Sequence, residues 1–230
     1  MGATISSLSY SALLQAILGS FTEGRPVLIT TPNPEMLLLG RSNARYQELL
    51  GRANFGMVDG FGLQLVLRLK RCFVPRTTGV SLLQRFSNDL IIPKVYVGNE
   101  SVISCAHVFS ELQILPIVAP LLQTDEEIVA YAQALSQQIP SGSAVFIGLG
   151  MYKQELLGYE LLKRGAALAI GVGGAFDMIS GHLPRAPQWM SYCGFEWLWR
   201  LWLQPSRFSR IVKAVIVFPC IALFYPVSYE

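Results

Sequence analysis

Short apolar runs of β type alternate with amphipathic helical stretches along most of this chain, and nearly every β run ends in glycine or a small polar residue. The β runs cover residues 27–31, 55–58, 94–97, 114–118, 144–149 and 167–172. Helical periodicity fills residues 7–18, 34–41, 43–51, 61–71, 100–112, 124–138 and 153–164. Two helix starts carry chemical signatures. Pro34 and Glu35 follow Asn33, and Thr124 stands three residues before Glu127 in a capping-box pattern. Strands alternating with helices imply a parallel sheet, because each crossover helix returns the chain to the end of the sheet where the strands begin. The expected fold is an α/β, Rossmann-like parallel sheet flanked by helices over residues 1–190, with a C-terminal helical, membrane-associating appendage over residues 191–230. No internal repeat, low-complexity segment or long linker interrupts it.

A chain of 230 residues is long enough to bury one full core. Apolar residues make up 52% and charged residues 14%, where average soluble domains are nearer one-quarter charged. The net charge of +3 is too small to imply a nucleic-acid partner. Cys72, Cys105, Cys193 and Cys220 form no Cys-x-x-Cys pair, and residues 1–18 lack the basic start and long apolar run of an export signal. Scattered reduced thiols are therefore expected rather than a zinc ribbon or a disulfide framework.

The positive charge is concentrated after Gly181. Arg185, Arg200, Arg207, Arg210 and Lys213 face only Glu196 and Glu230 there. Trp189, Trp197, Trp199 and Trp202 fall in the same stretch and resemble an interfacial belt. Residues 214–227 carry no charge and are broken by Pro219 and Pro226. A spanning helix needs about 20 apolar residues. The tail is thus read as a segment lying at a membrane surface, with a buried element packed on the domain as the alternative.

Ligands of parallel α/β sheets sit beyond the carboxyl ends of the strands, and the polar clusters fall at those places. Asp59 ends an apolar strand before Gly60, where a partly desolvated carboxylate suits a general base; an ordinary Asp-Gly turn is the alternative. Thr31 and Asn33 offer neutral donors and acceptors for sugar hydroxyls, or Asn33 simply caps a helix. Gly148-x-Gly150 and Gly171-x-Gly173-Gly174 match neither a dinucleotide fingerprint nor a Walker loop, yet glycine amides at a helix start suit a diphosphate. Close packing of strand on helix explains such glycines equally well. Gln154 can donate to a sugar or phosphate, or it belongs with Glu155 to a solvated first helical turn. Arginines are the side chains suited to bidentate phosphate contacts. His107 is read as facing apolar neighbours, and His182 lacks a ligand-spaced partner. No Asp-x-Asp metal motif or Gly-x-Ser-x-Gly elbow is present.

Taken in order, these motifs resemble the WecG/TagA/CpsF glycosyltransferases, glycosyltransferase family 26. The landmarks are Thr31-Pro32-Asn33-Pro34-Glu35, Val58-Asp59-Gly60-Phe61-Gly62, Arg76-Thr77-Thr78-Gly79, Gly148-Leu149-Gly150 and Lys153-Gln154-Glu155. Gly171-Val172-Gly173-Gly174-Ala175-Phe176-Asp177 follows, then Gly181 with Arg185-Ala186-Pro187, Glu196-Trp197-Leu198-Trp199-Arg200 and Pro205-x-Arg207-x-x-Arg210. They cover about residues 30–210. The resemblance implies an inverting enzyme that needs no metal or other cofactor. It would move a sugar, such as N-acetylmannosamine, from a UDP-sugar to a polyprenyl-diphosphate-linked acceptor. That work belongs to bacterial cell-surface polymer synthesis, peripherally on the cytoplasmic membrane face. A homo-oligomer is compatible with it.

By motif, Asp59 becomes the base, Thr31, Asn33 and Gln154 contact the sugars, and Arg76 steadies the site. Gly150, Glu155, Gly171, Gly173, Gly174 and Asp177 belong to substrate binding, with the glycine loop on the nucleotide. Arg185, Arg200, Arg207 and Arg210 complete the set, the last three at the lipid diphosphate. A catalytically altered nucleotide-binding module and a membrane-anchored interaction protein are the alternatives. The chain departs from the pattern in three places. Tyr152 stands where the family has proline, Ala119-Pro120-Leu121-Leu122 replaces a Gly-Tyr-Phe-like loop, and the strand before Ser7 is shortened.

Overall fold

The computed structural model describes residues 2–184, 186–187, 189–190 and 195–224. Its centre is a six-stranded, wholly parallel sheet in the order β2-β1-β6-β5-β3-β4. The strands are β1 (Val27–Thr30), β2 (Phe55–Gly56), β3 (Lys94–Gly98), β4 (Ile114–Val118), β5 (Ala144–Gly148) and β6 (Leu168–Gly171). In β1, β3 and β6 every residue is buried, as befits strands covered on both faces.

Alternation along the strands divides the core in two. Tyr96, Phe146 and Ile170 point to a face covered by α1 (Tyr10–Thr22), α5 (Gly79–Asp89), α6 (Ser101–Val108) and α9 (Ala175–Ile179). Val95, Val97, Val145 and Ile147 point to the other, under α2 (Pro34–Ser42), α3 (Ala44–Gly51), α7 (Asp125–Ser136) and α8 (Lys153–Leu162). The expected α/β parallel sheet is present. The helix α5 is one that periodicity did not assign. Its signals are the Thr78 side chain accepting from the Ser81 N–H, and Leu82, Leu83 and Phe86 at helical spacing, all buried.

Both sheet edges are guarded. On β2 the Ser6 N–H donates to the Gly56 carbonyl at 2.8 Å, and the Gly56 N–H donates to Ser6 Oγ at 3.2 Å. A Cβ on Gly56 would collide with the Thr4 carbonyl, so only glycine lets the N-terminal segment lie here. The β4 edge carries Pro116, which removes one ladder donor.

Beyond the sheet, α4 (Phe61–Leu69) and the C-terminal helices share a third cluster. Phe218 (1% exposed) and Ala222 pack with Leu37, Val58 and Leu63. Those two residues belong to the helix Phe218–Phe224, so part of the tail is a buried element packed on the core. The C-terminal helices also expose Leu198 and Trp202 of Glu196–Leu203, Phe208 of Phe208–Val212, Ile216 of Lys213–Val217 and Phe224 of the last helix. Among the described residues no helix is long and apolar enough to cross a membrane. Cys72, Cys105 and Cys220 are free thiols; Cys193 lies outside the described residues. The reading of His107 is corrected: it sits near the end of α6 on the solvent side and is exposed.

Candidate functional site

Four strand ends converge on one cleft of about 280 Å³. They belong to β1, β2, β5 and β6. β1 and β6 are neighbours in the sheet, and the helices that follow them, α2 and α9, pack on opposite faces, the arrangement in which parallel sheets open a crevice. Thr31 and Asn33 arrive from β1, Asp59 from the segment after β2, Gly148, Gly150 and Gln154 from the β5–α8 turn, and Gly173, Gly174 and Asp177 from the β6–α9 turn. Arg210 reaches the same cleft from the C-terminal helix Phe208–Val212.

Backbone hydrogen bonds explain why Asp59 stands there. The Met57 N–H donates to the Thr30 carbonyl and the Asp59 N–H to the Pro32 carbonyl, both at 2.9 Å, so the β2 segment tracks β1 beyond the regular strand. Val58 is buried beneath and Asp59 is half-buried at the cleft. The Thr77 N–H donates to the Val58 carbonyl, which brings the half-buried Arg76 into the neighbouring segment.

Thr31 is buried, and its hydroxyl donates to the Gly171 carbonyl at 3.1 Å, tying β1 to β6. Asn33 caps α2 by accepting from the Met36 N–H at 3.0 Å while lining the cleft. Capping and ligand contact are therefore not exclusive at this position. Asp177 accepts from the Asn99 amide at 3.1 Å, joining the end of β3 to the site.

The first turn of α8 differs from the solvated turn that was one reading of it. Gln154 is 3% and Glu155 1% exposed. The Gln154 amide nitrogen donates to Glu155 Oε1 at 2.6 Å, and its oxygen accepts from the Gly173 N–H at 3.1 Å. Glu155 Oε2 accepts from the Tyr152 N–H at 2.7 Å and from the Tyr46 hydroxyl at 3.1 Å. Burial pushes the Glu155 carboxyl up to about 7, against the pull of these donors. Glu155 does not line the cleft; it lies behind Gln154, so its place as a substrate contact is corrected to the layer beneath. Gly171 is likewise buried behind the surface. Its glycine is required by space, since a Cβ would come within 2.7 Å of the Gln154 amide nitrogen.

The glycine loop is also more committed than expected for a diphosphate cradle. Gly173 (φ +55°) gives its N–H to Gln154, and the Ala175 N–H goes to the Val172 carbonyl. Tyr152 has φ +71°, a value closed to proline, and a proline has no N–H to offer Glu155. Tyrosine and this turn therefore belong together. Its hydroxyl donates to Asp125 at 2.6 Å.

Arg210 is not free in the cleft. Its Nε and Nη2 donate to Glu35 Oε2 at 2.7 and 2.6 Å. Glu35, in the first turn of α2, is a cleft residue that the sequence marks only as part of a helix start and of a motif. Its position two residues after Asn33 was the available signal. Arg185, and the side chains of Arg200 and Arg207, lie outside the described residues.

Comparison with known proteins gives the chain's relatives. The profile of the glycosyl transferase WecG/TagA/CpsF family matches residues 1–229. The N-acetylglucosaminyldiphosphoundecaprenol N-acetyl-beta-D-mannosaminyltransferase of Bacillus subtilis strain 168 is 28% identical over 195 residues, covering 81% of this chain and 75% of the relative. The protein of the same name from Bacillus spizizenii is 26% identical over 202 residues, covering 83% and 77%. Matched along almost its whole length, and with Thr31, Asn33, Asp59, Gln154 and Asp177 at one cleft, the chain belongs to the WecG/TagA/CpsF family of glycosyl transferases.

Proposed function

We propose that this protein transfers N-acetylmannosamine or a related hexose from a UDP-sugar to a polyprenyl-diphosphate-linked sugar, with inversion and without a metal. The reaction would serve cell-surface polysaccharide or teichoic acid synthesis on the cytoplasmic face of the bacterial membrane. The observation that carries the reading is the meeting of Asp59, Gln154, Asp177 and Arg210 in one cleft of a family member. The names of the two Bacillus relatives support the sugar and the acceptor.

In this reading Asp59 takes the proton of the acceptor hydroxyl as it attacks the anomeric carbon. The bond from that carbon to the UDP oxygen breaks, and the diphosphate leaves with the electron pair. A positioned base contributes on the order of 10²–10⁴-fold. Cations and backbone donors near the departing diphosphate stabilise the charge that a metal would otherwise meet. The exposed Leu198, Trp202, Phe208 and Phe224 support a tail that lies on the bilayer, where the acceptor resides.

The test is a screen of UDP-sugars with a polyprenyl-diphosphate-N-acetylglucosamine analogue, reading UDP release with EDTA present. UDP-N-acetylmannosamine is expected to be turned over, and Asp59→Asn to lose at least about 100-fold in kcat while still binding UDP. Absence of turnover with every donor, or full activity of Asp59→Asn, would overturn the reading.

A further inference from the structure

We infer that Glu155 is a positioning residue: it dictates which end of the Gln154 carboxamide faces the glycine loop and which is left for the cleft. This deepens the proposed function, on which its catalytic consequence rests; the geometric part stands independently.

The argument is one of hydrogen-bond direction. A carboxamide has an accepting end and a donating end of nearly the same shape. At Gln154 the accepting end must take the Gly173 N–H, 3.1 Å away, because a backbone amide can only donate. The donating end then needs an acceptor, and Glu155 Oε1 supplies it at 2.6 Å. The second Glu155 oxygen is occupied by two more donors, the Tyr152 N–H and the Tyr46 hydroxyl. Both oxygens of residue 155 are therefore asked to accept, which an amide side chain cannot do at both ends. Glutamine at 155 must turn an NH2 either toward Gln154 or toward the Tyr152 N–H. The first choice flips Gln154 and sets its own NH2 against the Gly173 N–H.

Protonation does not have the same effect. The Tyr46 hydroxyl can rotate to accept a proton from Oε2, which leaves Oε1 accepting from Gln154. Desolvation holds Tyr46 neutral as a hydroxyl by pushing its pKa up. The groups facing the carboxyl are thus Tyr46 from α3, Gln154 of its own helix and the Tyr152 backbone, with no cation among the bonds that hold it. A carboxyl buried this deeply without a counter-charge costs stability. Its orienting work on a cleft-lining side chain accounts for that cost. The space is also tailored to the pair. A Cβ on Gly171 would lie 2.7 Å from the Gln154 amide nitrogen and 2.9 Å from Glu155 Oε1.

The test reads the Gly173 and Tyr152 N–H groups directly, by hydrogen exchange across residues 171–176 and 151–153 in the full chain without ligand. Glu155→Gln is expected to speed exchange by about tenfold or more at one of these two groups, the loss of one buried hydrogen bond. The exchanged pair, Gln154→Glu with Glu155→Gln, is expected to restore wild-type protection. A carboxylate at 154 accepts from Gly173 on one oxygen and from the new amide on the other. That rescue is not expected if Glu155 merely fills space. Unchanged exchange in Glu155→Gln, or no rescue in the exchanged pair, overturns the inference. If Glu155→Gln alone does not fold, the exchanged pair decides: it must fold and protect Gly173, and its failure to do so also overturns the inference. In transfer assays Glu155→Gln should lose about tenfold or more in kcat/KM. The exchanged pair should stay impaired, because position 154 no longer carries an N–H. Correct exchange behaviour in a chain that transfers no sugar would sink the proposed function and leave this inference standing.

Discussion

Glu155 brings a carboxyl to a place solvent does not reach, and its titration should be visible in the stability of the whole protein. Burial raises its pKa from 4.5 to about 7. Between those values the folded chain holds a proton that the unfolded chain releases. The stabilisation is therefore complete below the ordinary carboxylate pKa and is lost as pH rises through about 7. Its size is on the order of 3 kcal/mol. Urea unfolding of wild type and Glu155→Gln at pH 5 and pH 8 checks this. The wild type should lose stability relative to the variant at the higher pH, and a constant difference would show that the carboxyl does not titrate in that window. Glu155 also shows where residue-level reading stops. Glu next to Gln in a first helical turn looks solvated in sequence. Its burial is decided by Tyr46, more than one hundred positions upstream, and by Gly171, which no local pattern connects to it. Asp59 was legible because its setting is local: an apolar strand end followed by glycine.

At the scale of elements, α2 does two jobs from one turn. Asn33 caps it and lines the cleft, while Glu35 holds Arg210 of the helix Phe208–Val212. That bond docks a C-terminal element onto the rim of the site. Glu35→Gln weakens the hold without changing shape. Transfer by that variant should be half-inhibited by roughly tenfold less inorganic diphosphate, since Arg210 no longer answers to a carboxylate. Equal inhibition of both proteins would mean that Arg210 does not meet the anion. A second contact is apolar. Phe218 packs with Val58, the residue before Asp59, and with Leu63 of α4. Phe218→Ala should cost about 3–5 kcal/mol. Thermal unfolding should register this as a drop of roughly 10 °C. A change within a degree or two would place Phe218 outside the cooperative core. The helix starts at Asn33 and Thr124 were readable from capping chemistry. The ends of α6 and β2 were not. α6 stops at Val108 because the Phe109 N–H turns back to Ala106, and β2 is short because its continuation bonds to the loop after β1.

For the molecule as a whole, alternation of strands and helices was enough to expect a parallel α/β sheet, but not its order. β1 lies between β2 and β6, and those pairings join residues far apart in sequence. The tail likewise divides in a way that its apolar composition conceals, with Phe218 and Ala222 turned inward and Ile216 and Phe224 outward. Truncation after Gln204 should therefore both abolish flotation with anionic liposomes and lower the unfolding temperature. A truncated chain that floats like the full one would remove the tail from membrane contact. Because Arg210 is already held by a carboxylate, an anion in the cleft meets a cation that has a partner. A ligand that takes the Nε and Nη2 donors of Arg210 must displace Glu35 from them. Chloride or acetate offers no more charge than Glu35 does and gains little by the exchange. A diphosphate offers more charge and more acceptor oxygens, and it can release the carboxylate. Under the proposed function, the ion pair is therefore expected to act as a threshold on ligand charge, favouring a diphosphate over the small anions that crowd a cell.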